Sequence, residues 1–236
     1  MKYRSYILLC ILLPVAVLLS VLGFSHSLAS LPAWTEEPSA AYTVVIDPGH
    51  GGEDGGATDS QGRKESHINL EISLRLRDLL HFLGVQTKMI RETDCSVSSQ
   101  GETIAQRKVS DIRNRVKLTE ETPNALLLSI HQNHFSQSQY RGAQVFFAPT
   151  QGSEDWANAL RELLCTQFDP NNRRQVKAST DVYLMKHISC PGILVECGFL
   201  SNFEEAALLQ ESDYQKKLAA VIACSTLSYG EEHHEI

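Results

Sequence analysis

The chain lacks the cysteine spacing of a disulfide framework or a thiolate metal site. Of its six cysteines, Cys10 sits in an N-terminal apolar run. The other five (Cys95, Cys165, Cys190, Cys197, Cys224) are odd in number, irregularly spaced and free of any C-x-x-C pair. Most of them read as small buried hydrophobes. Excess positive charge is also missing: 21 Lys and Arg face 28 Asp and Glu, for a net charge of −7. That argues against nucleic acid, whose phosphates call for a basic surface. There is no internal repeat and no low-complexity tract. The glycine-rich run from Gly49 to Gly56 has neither the Lys-Ser/Thr of a phosphate loop nor the spacing of a dinucleotide fingerprint, and Glu53 and Asp54 within it would repel phosphate. What remains is a chain of 236 residues, 42% hydrophobic and 21% charged. This is enough for one globular domain with a full core and a short appendage.

The appendage is N-terminal. Lys2 and Arg4 precede an apolar run over residues 6–24, long enough to span a bilayer and longer than the usual core of a signal sequence. Ser27-Leu28-Ala29 nevertheless offers small residues at a signal peptidase spacing. Residues 1–30 are therefore expected to be a signal peptide or a membrane anchor. In either case the positive end stays inside and the rest is exported, anchored or secreted. Residues 31–42, with Pro32, Pro38 and Ser39, read as a linker. Residues 43–230 form the domain, and 231–236 an acidic, His-containing tail that frays.

Within the domain, 43–46 reads as a buried strand ending at an Asp-Pro-Gly turn. Residues 65–83 read as an amphipathic helix, with Ile68, Ile72, Leu76, Leu79, Leu80 and Leu83 at spacings of three and four. Gly84 stops it. A strand over 85–91 precedes a polar helix over 100–119. The basic run on that helix (Arg107, Lys108, Arg113, Arg115, Lys117) reads as a solvated face. The unbroken apolar run 125–130 is a central strand buried on both sides. Further strands are expected at 142–148, 181–185 and 193–195, and a helix at 153–168. Capping boxes beginning at Ser201 and Ser212 open two more helices. The alternation predicts an α/β fold: a single domain with a mostly parallel twisted central sheet flanked by helices, beside the N-terminal membrane segment.

Chemistry-bearing residues collect at strand ends and helix starts. His50 directly follows the first strand and its turn, where ligands gather in such sheets. Glu65 lies in a first helical turn, a position where a carboxylate is also stabilised simply by the helix dipole. His131 ends the buried strand, and a lone histidine there is more often structural than a ligand. Taken together, two histidines and one glutamate make a ligand set with one position open. A catalytic zinc needs that arrangement, whereas a structural zinc is closed by four protein ligands. His67 and His134 are rivals; His67 should point away from Glu65 along the helix, and His134 follows the strand end and could line the cleft. Glu196 follows the apolar strand 193–195, where a carboxylate is costly unless it serves a site. Its neighbour Cys197 is a candidate nucleophile, but adjacent strand residues face opposite ways. The zinc reading selects Glu196 as the acid/base.

The run Val44-Val45-Ile46-Asp47-Pro48-Gly49-His50-Gly51-Gly52 resembles the opening of the zinc-dependent N-acetylmuramoyl-L-alanine amidases of the amidase-3 type. Glu65 with Asn69-Leu70, Ser129-Ile130-His131-Gln132-Asn133, and Glu196-Cys197-Gly198-Phe199-Leu200-Ser201-Asn202 match later motifs of that family in order and spacing. The resemblance covers about residues 43–229. It implies that His50, Glu65 and His131 bind zinc, that Glu196 is the catalytic carboxylate, and that the substrate is peptidoglycan, cut between N-acetylmuramic acid and L-alanine. Residues 108–118 and 181–185, with the single N-terminal segment, look like the germination-specific amidases, which act on spore cortex and help form muramic δ-lactam. Gln132 and His134 depart from the small or apolar residues common in the family, so a different cleft rim is expected. No wall-binding repeat is attached, so the membrane segment or an accessory protein must bring the enzyme to its polymer. Two other readings stay open: another zinc hydrolase of the wall (a carboxypeptidase or deacetylase), and a membrane-anchored wall-binding module without catalysis.

Overall fold

The computed structural model describes residues 42–233. The expected N-terminal membrane or signal segment, all of the expected linker but Tyr42, and the last three residues lie outside the described residues. Tyr42 itself belongs to the core. It is buried, and a side chain at Gly230 would collide with its ring.

The elements in chain order are β1 (Thr43–Pro48), α1 (Glu65–Phe82), β2 (Gln86–Met89), α2 (Ile104–Glu120), β3 (Ala125–Asn133), β4 (Gln144–Phe147), α3 (Ser153–Phe168), β5 (Lys177–Ala178), α4 (Tyr183–His187), β6 (Gly192–Phe199), α5 (Phe203–Leu208) and α6 (Ser212–His233). One six-stranded sheet runs in the order β2-β1-β3-β6-β4-β5. All its pairings are parallel except β4 with β6. The sheet is thus mostly parallel, as expected, with an edge pair that runs the other way.

Side-chain alternation builds two cores. On one face Val44, Ile46, Leu126, Leu128, Ile130, Val195 and Cys197 pack against α1, α3 and α6. α1 contributes Ile68, Ile72, Leu76 and Leu80, each four residues from the last and almost fully buried. Leu83, expected on that face, is exposed at the helix end, where Gly84 takes the left-handed φ of +81° that ends the helix. On the other face Val45, Leu127 and Leu194 meet Ile112 and Val116 of α2 and Leu184 and Met185 of α4. Both layers exclude water from the strands, which is why 125–130 carries no polar alternation. Among the described residues, no helix is long and apolar enough to cross a membrane.

Several boundaries differ from the sequence reading. Residues 181–185 are not a strand: Tyr183–His187 is a short helix, closed by the Lys186 N–H donating to the carbonyl of Val182. Leu, Met and Lys are good helix formers, and one turn suffices to seat Leu184 and Met185 together in the core. α5 is capped by Asn202, whose side chain accepts from the Glu205 N–H, one residue later than the box read from Ser201. α6 continues to His233, whose ring stacks on Tyr229, so the first residues of the expected tail are helical.

Candidate metal centre and catalytic cleft

β1 turns outward to β2 and the chain then crosses back to β3, so the crevice between the carboxyl ends of β1 and β3 is a topological switch point. His50 and His131 lie there. β3 extends beyond the apolar run, so His131 is inside the strand rather than after it. Glu196 is likewise mid-strand in β6 and pairs in register with His131. Cross-strand partners share a face, so Glu196 and His131 open into the same pocket. Cys197 points into the opposite core and, among the described residues, is the one buried cysteine; Cys95 and Cys224 are exposed and Cys165 and Cys190 half-buried, against the expectation that most would be buried. Burial pushes the Cys197 thiol up to about 12, which leaves no thiolate for nucleophilic chemistry near neutrality.

Glu65 reaches the switch point from the start of α1, in the layer behind. One ligand atom each from His50, Glu65 and His131 lies within 4.8 Å of the others, and this is the one such group of three among the described residues. His131 Nδ1 donates to Glu65 Oε1 at 3.0 Å, and His50 Nε2 lies 3.3 Å from Glu65 Oε2. The carboxylate also accepts from the backbone N–H groups of Ala57 and Gln132 and from the Asn69 amide. Its oxygens are therefore held by groups from three separate segments. Burial alone would raise its pKa, but the hydrogen bonds and charges of His131 and His50 prevail and hold it far below the usual carboxylate range.

Asp54 accepts from His50 Nδ1 at 3.0 Å and is itself paired with Lys108 at 2.8 Å. A metal-binding histidine commonly has its second nitrogen held by a carboxylate in this way. Burial lowers the pKa of His50, but Glu65 and Asp54 outweigh it and push the pKa up to about 9. Three donors of two types and an outer carboxylate suit a divalent cation, which would replace protons now held between the rings and Glu65. In the metal-free protein these protons have a predictable effect. His50's raised pKa contributes stability that is complete below the unfolded value of about 6.5. That contribution is lost as pH rises through about 9. Glu65, held low, adds stability above the ordinary carboxylate value that is lost in acid. Denaturation of chelator-treated protein from pH 6 to 9.5 should show a falling midpoint, and saturating cation should flatten that slope.

The loop carrying His50 is strained and clamped. His50 has φ +60°, uncommon for a residue with a side chain. Three successive carbonyls are tied down by buried guanidinium groups. Arg91 and Arg115 both donate to the carbonyl of Pro48, Arg91 to that of Gly49, and Arg115 to that of His50. Gly49 is needed for a different reason: a Cβ there would sit 2.2 Å from the His131 ring. Arg115 also pairs with Asp47 and Asp111, and Asp47 accepts from Ser129 Oγ at 2.6 Å. The basic run of α2 is thus no simple solvated face. Arg115 is buried, Arg107 forms a bidentate pair with Glu53 across the pocket mouth, and Lys108, though exposed, holds Asp54; Arg113 and Lys117 are exposed as well. Replacing Arg115 with Met strands Asp47 as an unpaired buried charge. We expect a loss of about 3–5 kcal/mol, read by chemical denaturation.

Glu196 differs from the other carboxylates. It faces the pocket, yet its Oε2 is buried without a hydrogen-bond partner. Burial pushes its pKa up to about 7; the two histidines pull down against this and Glu65 pushes up with it. The pocket it shares with His50 and His131 holds about 360 Å³ and carries Leu184 and Leu194 on its walls.

The rival ligands lie elsewhere. His67 is exposed and bonded to Asp94, and His134 lines a neighbouring groove. Gln132, expected at the rim, is instead buried behind Glu65, where its amide donates to Asn69. Asp54, Arg91, Arg115 and Asp47 are the supporting residues that sequence patterning passed over.

The Amidase_3 profile, described as N-acetylmuramoyl-L-alanine amidase, matches residues 44–226. The chain belongs to the Amidase_3 family. Among its Amidase_3 relatives is the germination-specific N-acetylmuramoyl-L-alanine amidase of Bacillus subtilis, 34% identical over 210 residues, covering 87% of this chain and 88% of that protein. The CwlD amidase from Clostridioides difficile, solved in complex with the GerS lipoprotein, superposes with a TM-score of 0.77 at 36% identity, covering 80% of this chain and 98% of that one. An N-acetylmuramoyl-L-alanine amidase from Clostridium difficile 630 gives 0.72 at 28% identity, covering 83% and 100%. The matched span begins inside β1 and ends within α6, so all four residues of the cleft fall within it.

Proposed function

We propose that this Amidase_3 chain is a zinc-dependent peptidoglycan hydrolase that cuts the amide between the lactyl group of N-acetylmuramic acid and L-alanine, with His50, Glu65 and His131 as zinc ligands and Glu196 as the catalytic acid/base. The observation that carries this reading is Glu196, a carboxylate with an orphaned oxygen, in register beside a three-donor cluster. A zinc ion held by that cluster supplies Lewis acidity toward the amide carbonyl and toward water. Glu196 takes a proton from the attacking water and delivers it to the leaving amine. A pKa near neutrality suits both halves of that task, and the carboxylate ionises more readily when a cation sits beside it. Asp54 keeps the His50 ring turned inward, while Arg115 and Arg91 fix the loop that offers it. Leu184 and Leu194 limit the water that competes at the cleft.

We further propose that the chain is exported through its N-terminal segment and acts on spore cortex, supported by its similarity to the germination-specific enzyme of Bacillus subtilis. The complex of CwlD with a lipoprotein supports an accessory partner here as well. Muropeptide analysis of cortex from cells with and without the gene tests this role. Absence of the protein should remove muramic δ-lactam and raise peptide-substituted muramic acid. Unchanged δ-lactam contradicts the cortex role, and release of D-alanine or acetate by the purified protein points to a different wall hydrolase.

A further inference from the structure

A second opening flanks the metal centre and is not used by the mechanism. It is a groove of about 750 Å³ between residues 58–60, 134–141 and 200–204, more open to solvent than the catalytic pocket. It is tied to the centre on two sides. Ala57, next to Thr58, donates its N–H to Glu65, and His134 follows β3 three residues after His131.

The groove is built in advance. The Phe135 N–H donates to Ser201 Oγ, the Asn202 amide donates to the carbonyl of Ser138, and the Leu200 N–H donates to the carbonyl of Asn133. Phe135 stacks on buried Phe199, with centroids 5.7 Å apart and planes 21° apart, and meets Tyr140 at 5.4 Å, yet remains 47% exposed. Phe203, at the start of α5, is 69% exposed. The acids and the guanidinium at the border are already paired: Asp59 with Arg63 at 2.6 Å, and Arg141 with Glu204 at 3.3 Å. The rest of the lining is chiefly hydroxyl and amide, from Ser136, Ser138, Gln139 and Asn202. One phenyl held by ring stacking and a second, exposed one among uncharged hydrogen-bonding groups match a ligand with apolar faces and polar edges and no net charge. The catalytic pocket carries more ionised groups on its lining, Arg107, Lys108, Arg115 and five acids, most of them paired with one another.

We propose that this groove is the subsite for the glycan strand: it takes N-acetylated sugar units beyond the one whose lactyl amide is cut, leaving the charged pocket to the peptide stem. The assignment rests on the amidase reading for the identity of the polymer and adds which cleft takes which half. The zinc-loaded full chain should be compared with Phe203→Ala, which removes an exposed side chain, and with Phe135→Tyr, which keeps the platform. Two readouts separate the cases. By calorimetry, the uncharged tetrasaccharide of N-acetylglucosamine should bind about tenfold more weakly to Phe203→Ala and about equally to Phe135→Tyr. In kinetics, KM for polymeric peptidoglycan should rise by a similar factor in Phe203→Ala, with kcat/KM for soluble N-acetylmuramoyl-L-alanyl-D-isoglutamine unchanged. Unchanged tetrasaccharide affinity in Phe203→Ala overturns the proposal and leaves the exposed phenyls to a protein partner. Equal losses on both substrates overturn it too. Failure of the amidase reading looks different: the unaltered chain then cleaves neither substrate, while calorimetry still decides the groove.

Discussion

Replacing Glu196 with Gln should leave zinc content at about one ion per chain and lower cleavage of the muramoyl–alanine bond by about 10²–10⁴-fold. The substitution keeps the size and planarity of the side chain and removes only its ability to accept and return a proton. Glu196 makes no hydrogen bond through Oε2, so no network is broken, and the amide relieves a buried carboxylate. The fold should therefore be as stable or slightly more so. The wild-type rate should rise with pH through the ionisation of this group, and Glu196→Gln should lose that dependence. Metal analysis with a discontinuous assay checks the first claim, and pH–rate profiles the second. Retained activity with normal zinc would move the acid/base role to another residue.

Replacing His50 with Ala should instead abolish metal binding and activity together. His50 is one of three donors, and the loop presenting it is already clamped, so no neighbouring side chain can swing in. His67 and His134 are committed elsewhere or lie in another groove. Affinity for zinc should fall by more than about 100-fold, beyond what loss of an outer-shell partner costs. Asp54→Asn gives the graded comparison, since it alters only the partner of His50 Nδ1 and should cost about 10–100-fold. Competition with a chromophoric chelator reads both. Equal losses would mean that His50 is not itself a ligand. His50 is itself the group whose raised pKa gives the stability decline expected between pH 6.5 and 9, so metal-free His50→Ala should lose that contribution.

The three candidate donors were legible because each lies at or near the edge of an element facing the carboxyl end of the sheet. His50 follows a buried strand, Glu65 starts a helix, and His131 comes at the end of an apolar run; parallel α/β sheets collect ligands at such points. Strand alternation allowed only one of Glu196 and Cys197 to face the cleft, and the zinc reading selected Glu196. The supporting residues were not legible, because their partners are distant in sequence. Arg115 lies on a helix whose charge run looks solvated until Asp47, 68 residues earlier, appears beneath it. Asp47 itself held the clue: a carboxylate closing a buried strand demands a cation, as Glu196 demands a function. Asp54 read as a group that repels phosphate, although its spacing of four from His50 places it on the imidazole. The reversal of β4 left no sequence signal, since Gln144-Val145-Phe146-Phe147 has the same character in either direction. Residues 181–185 misled because Val182 and Tyr183 favour strands, while two buried neighbours, Leu184 and Met185, needed the turn of a helix.

The central claim is that one cleft joins a zinc site to Glu196 for amide hydrolysis in peptidoglycan. Its most direct test is digestion of purified peptidoglycan by chelator-stripped protein, before and after one equivalent of zinc is restored, with the products read by mass spectrometry. The account predicts no cleavage by stripped protein. On zinc addition, it predicts peptides beginning with a free L-alanine amine together with muramic acid bearing a free lactyl carboxyl. Full activity in the stripped protein, or released D-alanine or acetate in place of those termini, would contradict it.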